Sequence, residues 1–175
     1  QLQNSKVQAN AAHFALAKLE KELSGDVLIV TQNIDNLHEE SGAKNLLHMH
    51  GELMKMRCCK SGNIFAISGD ITSEMTCSCC AKTSTLRPHV VWFGERPLYM
   101  DIIESALMTC DLFISIGTSG QVYPAAGFVR TAKYNDAHTI EVNLEPSEVE
   151  SDFDEHLYGK AATLVPQLIN RILNI

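Results

Sequence analysis

Two short polar clusters in the first third of the chain contain residue types suited to catalysis. Gln32, Asn33 and Asp35 follow an apolar run that is typical of a buried strand. Polar side chains at the carboxyl end of such a strand lie where open α/β sheets bind ligands. His50, followed by Gly51, forms the second cluster. Together the clusters predict a ligand rich in hydroxyl and amide groups, with a base acting on it.

The spacing of the histidines leaves the role of His50 open. An imidazole can take a proton from a sugar hydroxyl near neutral pH, so His50 is a candidate general base. If the surrounding segment is a strand, His48 and His50 share one face of it. A lone histidine is nevertheless more often structural than catalytic, and the spacing by itself favours the structural role.

A second candidate site lies in the last third of the chain. The apolar strand 112–116 precedes a Gly-Thr-Ser-Gly turn at 117–120, and a helix, a strand and the acidic Glu145 follow. This is the order of a mononucleotide-binding half-unit, in which glycines approach the phosphate and the acid binds ribose hydroxyls. The turn lacks the full G-x-G-x-x-G pattern. An ordinary turn that needs glycine for its geometry is therefore the equal alternative.

Five of the six cysteines cluster at positions 58–80. Cys77 and Cys80 have the two-residue gap that lets one turn place both sulfurs on Zn²⁺, and Cys58 supplies a third ligand. The position three after Cys58 holds Ser61, a poor zinc ligand. Two candidates remain for a fourth ligand, Cys59 and Cys79. An incomplete module that has lost its metal is the equal alternative.

The elements that must position these groups alternate between helices and strands. Helices are predicted at 10–23, 37–40, 99–108, 124–134 and 163–174, and strands at 27–31, 46–49, 87–93, 112–116 and 139–142. We predict an α/β fold with a Rossmann-like, doubly wound parallel sheet and a small cysteine-containing, zinc-ribbon-like insertion. The predicted domains are the Rossmann-like parts 1–51 and 87–175 and the zinc-binding-type module 52–86.

The run Val-Val-Trp-Phe-Gly-Glu at 90–95 has two interpretations. A buried strand is the better explanation for Val90 and Trp92. The alternative is an exposed strand edge that pairs with an extended peptide, which Gly94 would allow to approach closely.

The composition limits the class of protein. The chain has 175 residues, of which 45% are hydrophobic and 20% charged, enough for a sizeable core. A net charge of -7 argues against nucleic acid as the main partner and is compatible with lysine-rich protein substrates. No apolar run reaches the roughly 18 residues of a membrane span, and no signal peptide is visible. We therefore predict a cytoplasmic protein without a membrane partner.

Several motifs together resemble those of the sirtuins, a family of NAD-dependent protein deacylases. They are TQNID at 31–35, His-Gly at 50–51, the cysteine-containing insertion, RPHVVWFGE at 87–95, GTS at 117–119, VYPAA at 122–126 and NLEP at 143–146. The resemblance covers essentially the whole chain and is closest to the bacterial branch that groups with the desuccinylase-type sirtuins. It reverses the preference for a structural His50 and for an ordinary turn at 117–120.

The resemblance implies a role for each motif, with His50 as the general base. The implied NAD-binding residues are Gln32, Asn33, Ile34, Asp35, Gly117, Thr118, Ser119, Asn143, Leu144, Glu145 and Ala161. The implied substrate-binding residues, which would hold an acyl-lysine peptide as an added strand, are Val91, Phe93, Gly94 and Val122. The implied ligands of a structural zinc are Cys58, Cys77 and Cys80. The implied reaction is deacetylation, with desuccinylation beside it, by a monomer that transfers the acyl group to ADP-ribose and releases nicotinamide.

Two departures from the family pattern qualify these expectations. The family's Gly-Ala-Gly segment and the Tyr and Arg that recognise acidic acyl groups do not occur in this sequence. We therefore expect the chain as given to bind NAD poorly and to have little activity, and its acyl preference is left open. Ser61 stands where the family has a zinc cysteine. The alternative function is a sirtuin-like module that binds acyl-lysine or nucleotide without turnover, and a zinc-ribbon interaction protein is a weaker third.

Overall fold

The computed structural model describes residues 7–174. Its helices are α1 (Ala11–Glu22), α2 (Leu37–Glu40), α3 (Met100–Leu107), α4 (Phe128–Tyr134) and α5 (Ala161–Ile172). Its strands are β1 (Ile29–Thr31), β2 (Leu46–His48), β3 (Gly51–Cys58), β4 (Ile64–Ala66), β5 (Leu86–Val90), β6 (Leu112–Ile116), β7 (His138–Asn143) and β8 (Glu155–Tyr158). Within the described residues, no helix is long and apolar enough to cross a membrane.

The described chain forms two compact units. The first unit comprises Val30–Asn36 and Leu47–Tyr99. The second unit comprises three segments: the described residues before Val30, Leu37–Leu46, and the described residues from Met100 onward. Strands β1 and β2 pair with each other, and the division between the units passes through both. The domain bounds given above stay a prediction.

The second unit is built on a parallel sheet of order β6-β7-β8. Parallel neighbours need a crossover connection, and α4 supplies it between β6 and β7. Helices α1 and α5 bury their apolar stripes against Ile140 and Val142 of β7 on one face. On the other side Val129 of α4 packs with Phe153 and against Phe113 of β6. Helices thus cover both faces, which confirms the predicted doubly wound α/β fold.

Helix α1 shows why these elements form where they do. Asn10 caps its amino end, because the side-chain oxygen accepts a 2.9 Å hydrogen bond from the backbone N–H of Ala12. Ala12, Ala15 and Leu19 then recur at helical spacing and are all buried. The helix therefore places a narrow apolar stripe, with two small alanines in it, against α5 in the core.

The first unit contains an antiparallel sheet with β3 between β4 and β5. The register of β3 against β5 shifts between Glu52 and Met56, so the strand bends there. The sequence predicted only a small zinc-ribbon-like insertion at 52–86 and missed β3 as a strand. It also missed β8. Strand β8 shows no clear alternation of apolar and polar residues. Residues 54–58 of β3 do alternate between apolar and charged types, so this strand signal was overlooked.

Two predicted strands end earlier than expected. Strand β5 stops at Val90, and the segment after it turns back through a hydrogen bond from the Glu95 N–H to the Trp92 carbonyl. Trp92 is 56% exposed, so the prediction that it lies in a buried strand is wrong. Strand β2 stops at His48, and His50 lies in the turn that follows. The two histidines therefore do not occupy alternating positions of one strand. The prediction that they share one strand face is wrong.

Candidate functional site

His50 lies in the first unit, on the turn between β2 and β3. Its Nδ1 atom is 2.9 Å from the backbone carbonyl oxygen of Gln32. A carbonyl only accepts hydrogen bonds, so in a neutral ring Nδ1 must donate the proton. The lone pair is then on Nε2, where a base can take a proton from a ligand. His48 makes the corresponding contact, 3.0 Å, to the carbonyl oxygen of Asn33, but it is buried whereas His50 is only half-buried.

The loop 31–35 is held in place by its own backbone. The hydroxyl of Thr31 accepts a hydrogen bond from the N–H of Asn33, and its carbonyl accepts one from Met49. The carbonyl of Ile34 accepts a further bond from Leu53. These bonds leave the side chain of Asn33 exposed and those of Gln32 and Asp35 half-buried. The polar groups predicted to hold a ribose thus lie beside the histidine segment within one unit.

Gly51, the residue after His50, has no room for a side chain. Its φ is +82°, and a Cβ atom there would lie 2.0 Å from the carbonyl oxygen of His89 in β5. The chain can therefore pass this close to β5 only with glycine. The carbonyl of His50 itself accepts a 2.9 Å hydrogen bond from the N–H of Val91. The predicted base is thereby fixed to the first residue of the predicted substrate segment.

The segment 91–95 carries a fully exposed aromatic side chain, that of Phe93. Gly94 has a φ of +87° with open space where a Cβ atom would lie. The base of the segment is anchored by Glu95, whose carboxylate accepts hydrogen bonds from Arg87 (2.6 Å) and from the Trp92 N–H (2.9 Å). The Arg87 guanidinium and the Trp92 N–H lower the pKa of Glu95 to about 2. The loop is therefore shaped by an ion pair and not by strand pairing.

The second unit carries a polar cleft at the carboxyl ends of two parallel strands. Ile116 and Val142 are paired in the register of β6 and β7, so the residues that follow them lie at one edge of the sheet. The cleft has a volume of about 390 Å³. Its lining consists of Gly117, Thr118, Ser119, Gln121, Asn143, Leu144, Glu145, Pro146 and Glu148. Most of the residues implied for NAD binding in this half of the chain are thus brought together.

Hydrogen bonds join the two loops of this cleft. The Asn143 side chain donates a 2.7 Å bond to the Thr118 carbonyl and accepts one from the Leu144 N–H. The carbonyl of Ser119 accepts a bond from the Glu148 N–H. Val122, which is exposed, and Ala161, which begins α5, lie outside the cleft lining. Their implied roles stay predictions.

A buried carboxylate in β7 stabilises the loop that contains two of the cleft residues, Pro146 and Glu148. Glu141 of β7 is 1% exposed, and it accepts hydrogen bonds from the Ser147 N–H and from the Tyr158 hydroxyl, the latter at 3.0 Å. Burial and the hydrogen bond to Glu141 raise the pKa of Tyr158 to about 12. Sequence reasoning missed this role, because an acid inside a strand has no motif of its own.

The cysteine cluster lies in the first unit. The sulfur atoms of Cys58, Cys77, Cys79 and Cys80 all lie within 4.8 Å of one another. In a tetrahedral zinc site with Zn–S bonds of about 2.3 Å, the sulfurs are about 3.8 Å apart. The Cys58 and Cys80 sulfurs are 3.8 Å apart, so the donor set fits zinc. Hydrogen bonds from Ser61 and from the Lys60 N–H lower the pKa of Cys58 to about 5, which favours the thiolate that binds a metal.

The sheet with helices on both faces, the cleft at its strand ends and the small cysteine module together define a Rossmann-like α/β protein with a metal-binding insertion. A model of the Sir2 family matches residues 1–124. An NAD-dependent protein deacylase of Pasteurella multocida is 61% identical over 173 residues, which span 99% of this chain and 74% of that protein. A protein of the same description from Escherichia coli K12 is 57% identical over 99% of this chain and 62% of its own length.

Solved structures agree with this assignment. The crystal structure of a Sir2 homolog–NAD complex matches with a TM-score of 0.86 and 34% identity, over 97% of this chain and 66% of that chain. Sir2Af2 bound to a myristoylated histone peptide matches with a TM-score of 0.79 and 31% identity, over 96% and 75%. The chain belongs to the Sir2 family, and the resemblance inferred from its motifs is confirmed.

Proposed function

We propose that the chain acts in an NAD-dependent protein-lysine deacylase of the sirtuin type. The observation that carries the proposal is the hydrogen bond between His50 Nδ1 and the Gln32 carbonyl, which leaves Nε2 as the proton acceptor beside a loop of amide and carboxylate side chains. The names of the relatives from Pasteurella multocida and Escherichia coli support the same activity.

The cofactor supplies a ribose that accepts the acyl group and a nicotinamide that leaves. Gln32, Asn33 and Asp35 would hold the nicotinamide ribose, and His50 Nε2 would take a proton from a hydroxyl of that ribose. The lining of the second unit's cleft binds the remainder of the nucleotide, with Glu145 on the adenosine ribose and the loop 117–119 at the phosphates. Backbone N–H groups and hydroxyls suit this part of the ligand, because they donate to phosphate oxygens.

The substrate is an acyl-lysine segment of a protein. Phe93 and Gly94, which are exposed, and the half-buried Val91 provide a strip that receives the peptide, with Val122 as a further contact. The chain's net charge of -7 favours basic, lysine-rich segments over nucleic acid. A related structure, Sir2Af2, is described with a myristoylated histone peptide. We propose deacetylation together with desuccinylation, by a cytoplasmic monomer that has no membrane partner.

The test of this function uses the full-length protein and compares it with two variants on acetyl-lysine and succinyl-lysine peptides. We expect His50→Ala to slow deacylation by about 10²- to 10⁴-fold, the usual contribution of a general base. It should leave exchange of free nicotinamide into NAD measurable, because nicotinamide leaves before the base acts. His138→Ala, which removes an exposed histidine of the second unit, is the matched control and should leave both activities unchanged.

Two outcomes would contradict the proposal. If His50→Ala deacylates as fast as the parent, His50 is not the base. If the full-length protein binds ADP-ribose and acyl-lysine peptide but releases no nicotinamide, the alternative holds, namely a module that binds without turnover. Size-exclusion chromatography with light scattering tests the proposed monomer. The measured mass of the chain should be 19.3 kDa.

A further inference from the structure

Two similar turns bring the cysteines of the insertion together. In the first, the Gly62 N–H donates a 2.9 Å hydrogen bond to the carbonyl of Cys58. In the second, the Ala81 N–H donates a 2.8 Å bond to the carbonyl of Cys77. Each turn thus begins with a buried cysteine and closes four residues later. Such a pair of turns can present sulfurs to a metal from two sides.

The two turns differ at their fourth residue, which is Ser61 in the first and Cys80 in the second. A serine hydroxyl is not among the usual zinc ligands, so the first turn supplies only one sulfur. The second turn can supply the missing sulfur ligand because it carries a third cysteine, Cys79, beside Cys77 and Cys80. The Cys79 sulfur lies 3.1 Å from the Ser61 hydroxyl and 3.1 Å from the Cys77 sulfur. It therefore occupies the side of the cluster that Ser61 faces.

We propose that Cys79 is the fourth ligand of a closed four-sulfur zinc site formed with Cys58, Cys77 and Cys80. Ser61 lies outside the coordination shell and hydrogen-bonds to the Cys79 sulfur, as outer partners of metal ligands do. On binding, the zinc ion takes four thiolates, and those cysteines that are still protonated release their protons to solvent, with no change of oxidation state.

Cys59 is not part of this site. It is exposed, and its sulfur does not belong to the group of mutually close sulfurs within residues 7–174. Its backbone N–H donates a hydrogen bond to the carbonyl of Thr85. Cys59 and Cys79 are therefore two exposed thiols of one module, of which only Cys79 lies close to other sulfurs and to the Ser61 hydroxyl.

The first experiment uses the unmodified protein. Cysteines are alkylated with iodoacetamide, with zinc bound and after removal of zinc by a chelator, and the sites are identified by mass spectrometry. We expect Cys79 to be protected only when zinc is bound and Cys59 to react in both samples. Equal alkylation of Cys79 with and without zinc would overturn the proposal, and so would a zinc content far below one ion per chain. This experiment needs no deacylase activity, so its result is independent of the proposed function.

The second experiment compares the variants Cys79→Ser, Cys59→Ser and Ser61→Ala. Zinc affinity is measured against a chromophoric chelator, and the coordination is read from the visible spectrum of the Co²⁺-substituted protein. We expect Cys79→Ser to lose the four-sulfur spectrum and more than about 100-fold in affinity, beyond the roughly 10- to 100-fold that an outer partner contributes. Ser61→Ala should keep the four-sulfur spectrum, and Cys59→Ser should match the parent. A four-sulfur spectrum in Cys79→Ser, or its loss in Cys59→Ser, would contradict the assignment.

Discussion

The Nδ1 atom of His50 lies 2.9 Å from the carbonyl oxygen of Gln32. This single contact joins the candidate base to the loop that is proposed to hold the nicotinamide ribose. Because the carbonyl only accepts, the same contact selects the tautomer with its lone pair on Nε2. The position of the base and its protonated nitrogen are therefore set by one backbone group, which ties the chemistry of His50 to the geometry of β2 and β3.

Gly51 is the residue that makes this geometry possible, and Gly51→Ala tests it. A positive φ costs an alanine about 1–2 kcal/mol, and its Cβ would also lie 2.0 Å from the His89 carbonyl oxygen. We expect the free energy of unfolding, measured by urea denaturation, to fall by more than about 2 kcal/mol. Gly42→Ala is the matched control, because Gly42 also has a positive φ but a Cβ there would meet no atom within 4 Å. If Gly51→Ala and Gly42→Ala lose the same free energy of unfolding, β5 moves to accommodate the Cβ atom and the close approach is not required.

The parallel half of the fold could be predicted from the sequence because its pattern is local. Residues 112–116 are apolar apart from one serine, as expected of a strand covered on both faces, and β6 has those bounds. The spacing of Ala12, Leu16 and Leu19 likewise predicted α1 to within one residue at each end. The motifs at 117–119 and 143–146 were also placed correctly at strand ends, because strand and turn follow each other directly in the chain.

The rest could not be predicted because it depends on contacts distant in sequence. The apolar composition of 90–93 suggested a strand, but the pairing of Glu95 with Arg87 turns the chain outward after Val90. The spacing of Cys77 and Cys80 indicated a metal site, yet it could not choose between Cys59 and Cys79. That choice requires the two turns in three dimensions.

The ion pair of Glu95 makes the stability of the first unit depend on pH. The pKa of Glu95 is lowered from 4.5 to about 2 in the folded protein, so its ionised form stabilises the fold above pH 4.5. This contribution is lost as the pH falls from 4.5 to about 2. We expect Glu95→Gln to lower the melting temperature near neutral pH and the difference from the parent to shrink toward pH 2.

Glu104→Gln is the control for this prediction, since it removes an exposed carboxylate of α3. Its melting temperature should follow that of the parent at every pH. A gap between Glu95→Gln and the parent that stays constant down to pH 2 would mean that shape, and not charge, is what Glu95 contributes.

Asn143 tests the cleft of the second unit. Its side chain donates a 2.7 Å hydrogen bond to the Thr118 carbonyl, so Asn143→Ala should loosen the loop 117–119 as well as remove a polar group from the lining. We expect the affinity for ADP-ribose, measured by titration calorimetry, to fall at least about 10-fold, which corresponds to the loss of about 1.4 kcal/mol. Asn135→Ala is the matched control, because Asn135 donates a similar 2.8 Å bond to the carbonyl of Thr131 away from the cleft. Equal affinities of the two variants would remove Asn143 from the binding site.

The contact between the buried Glu141 and Tyr158 can be tested through the ionisation of that one tyrosine. Burial and the hydrogen bond to Glu141 raise the pKa of Tyr158 from 10.0 to about 12, so Glu141→Gln should let one of the chain's 4 tyrosines ionise at lower pH in a spectrophotometric titration. Replacement of one of the two buried carboxylate oxygens by an NH2 group, which cannot accept a hydrogen bond, should also cost about 1–3 kcal/mol in the free energy of unfolding. Glu150→Gln is the control, because Glu150 contacts the same hydroxyl at 3.4 Å from a more exposed position. A larger shift in the tyrosine titration of Glu150→Gln than of Glu141→Gln would show that the surface contact dominates, and that β7 does not hold Tyr158 through Glu141.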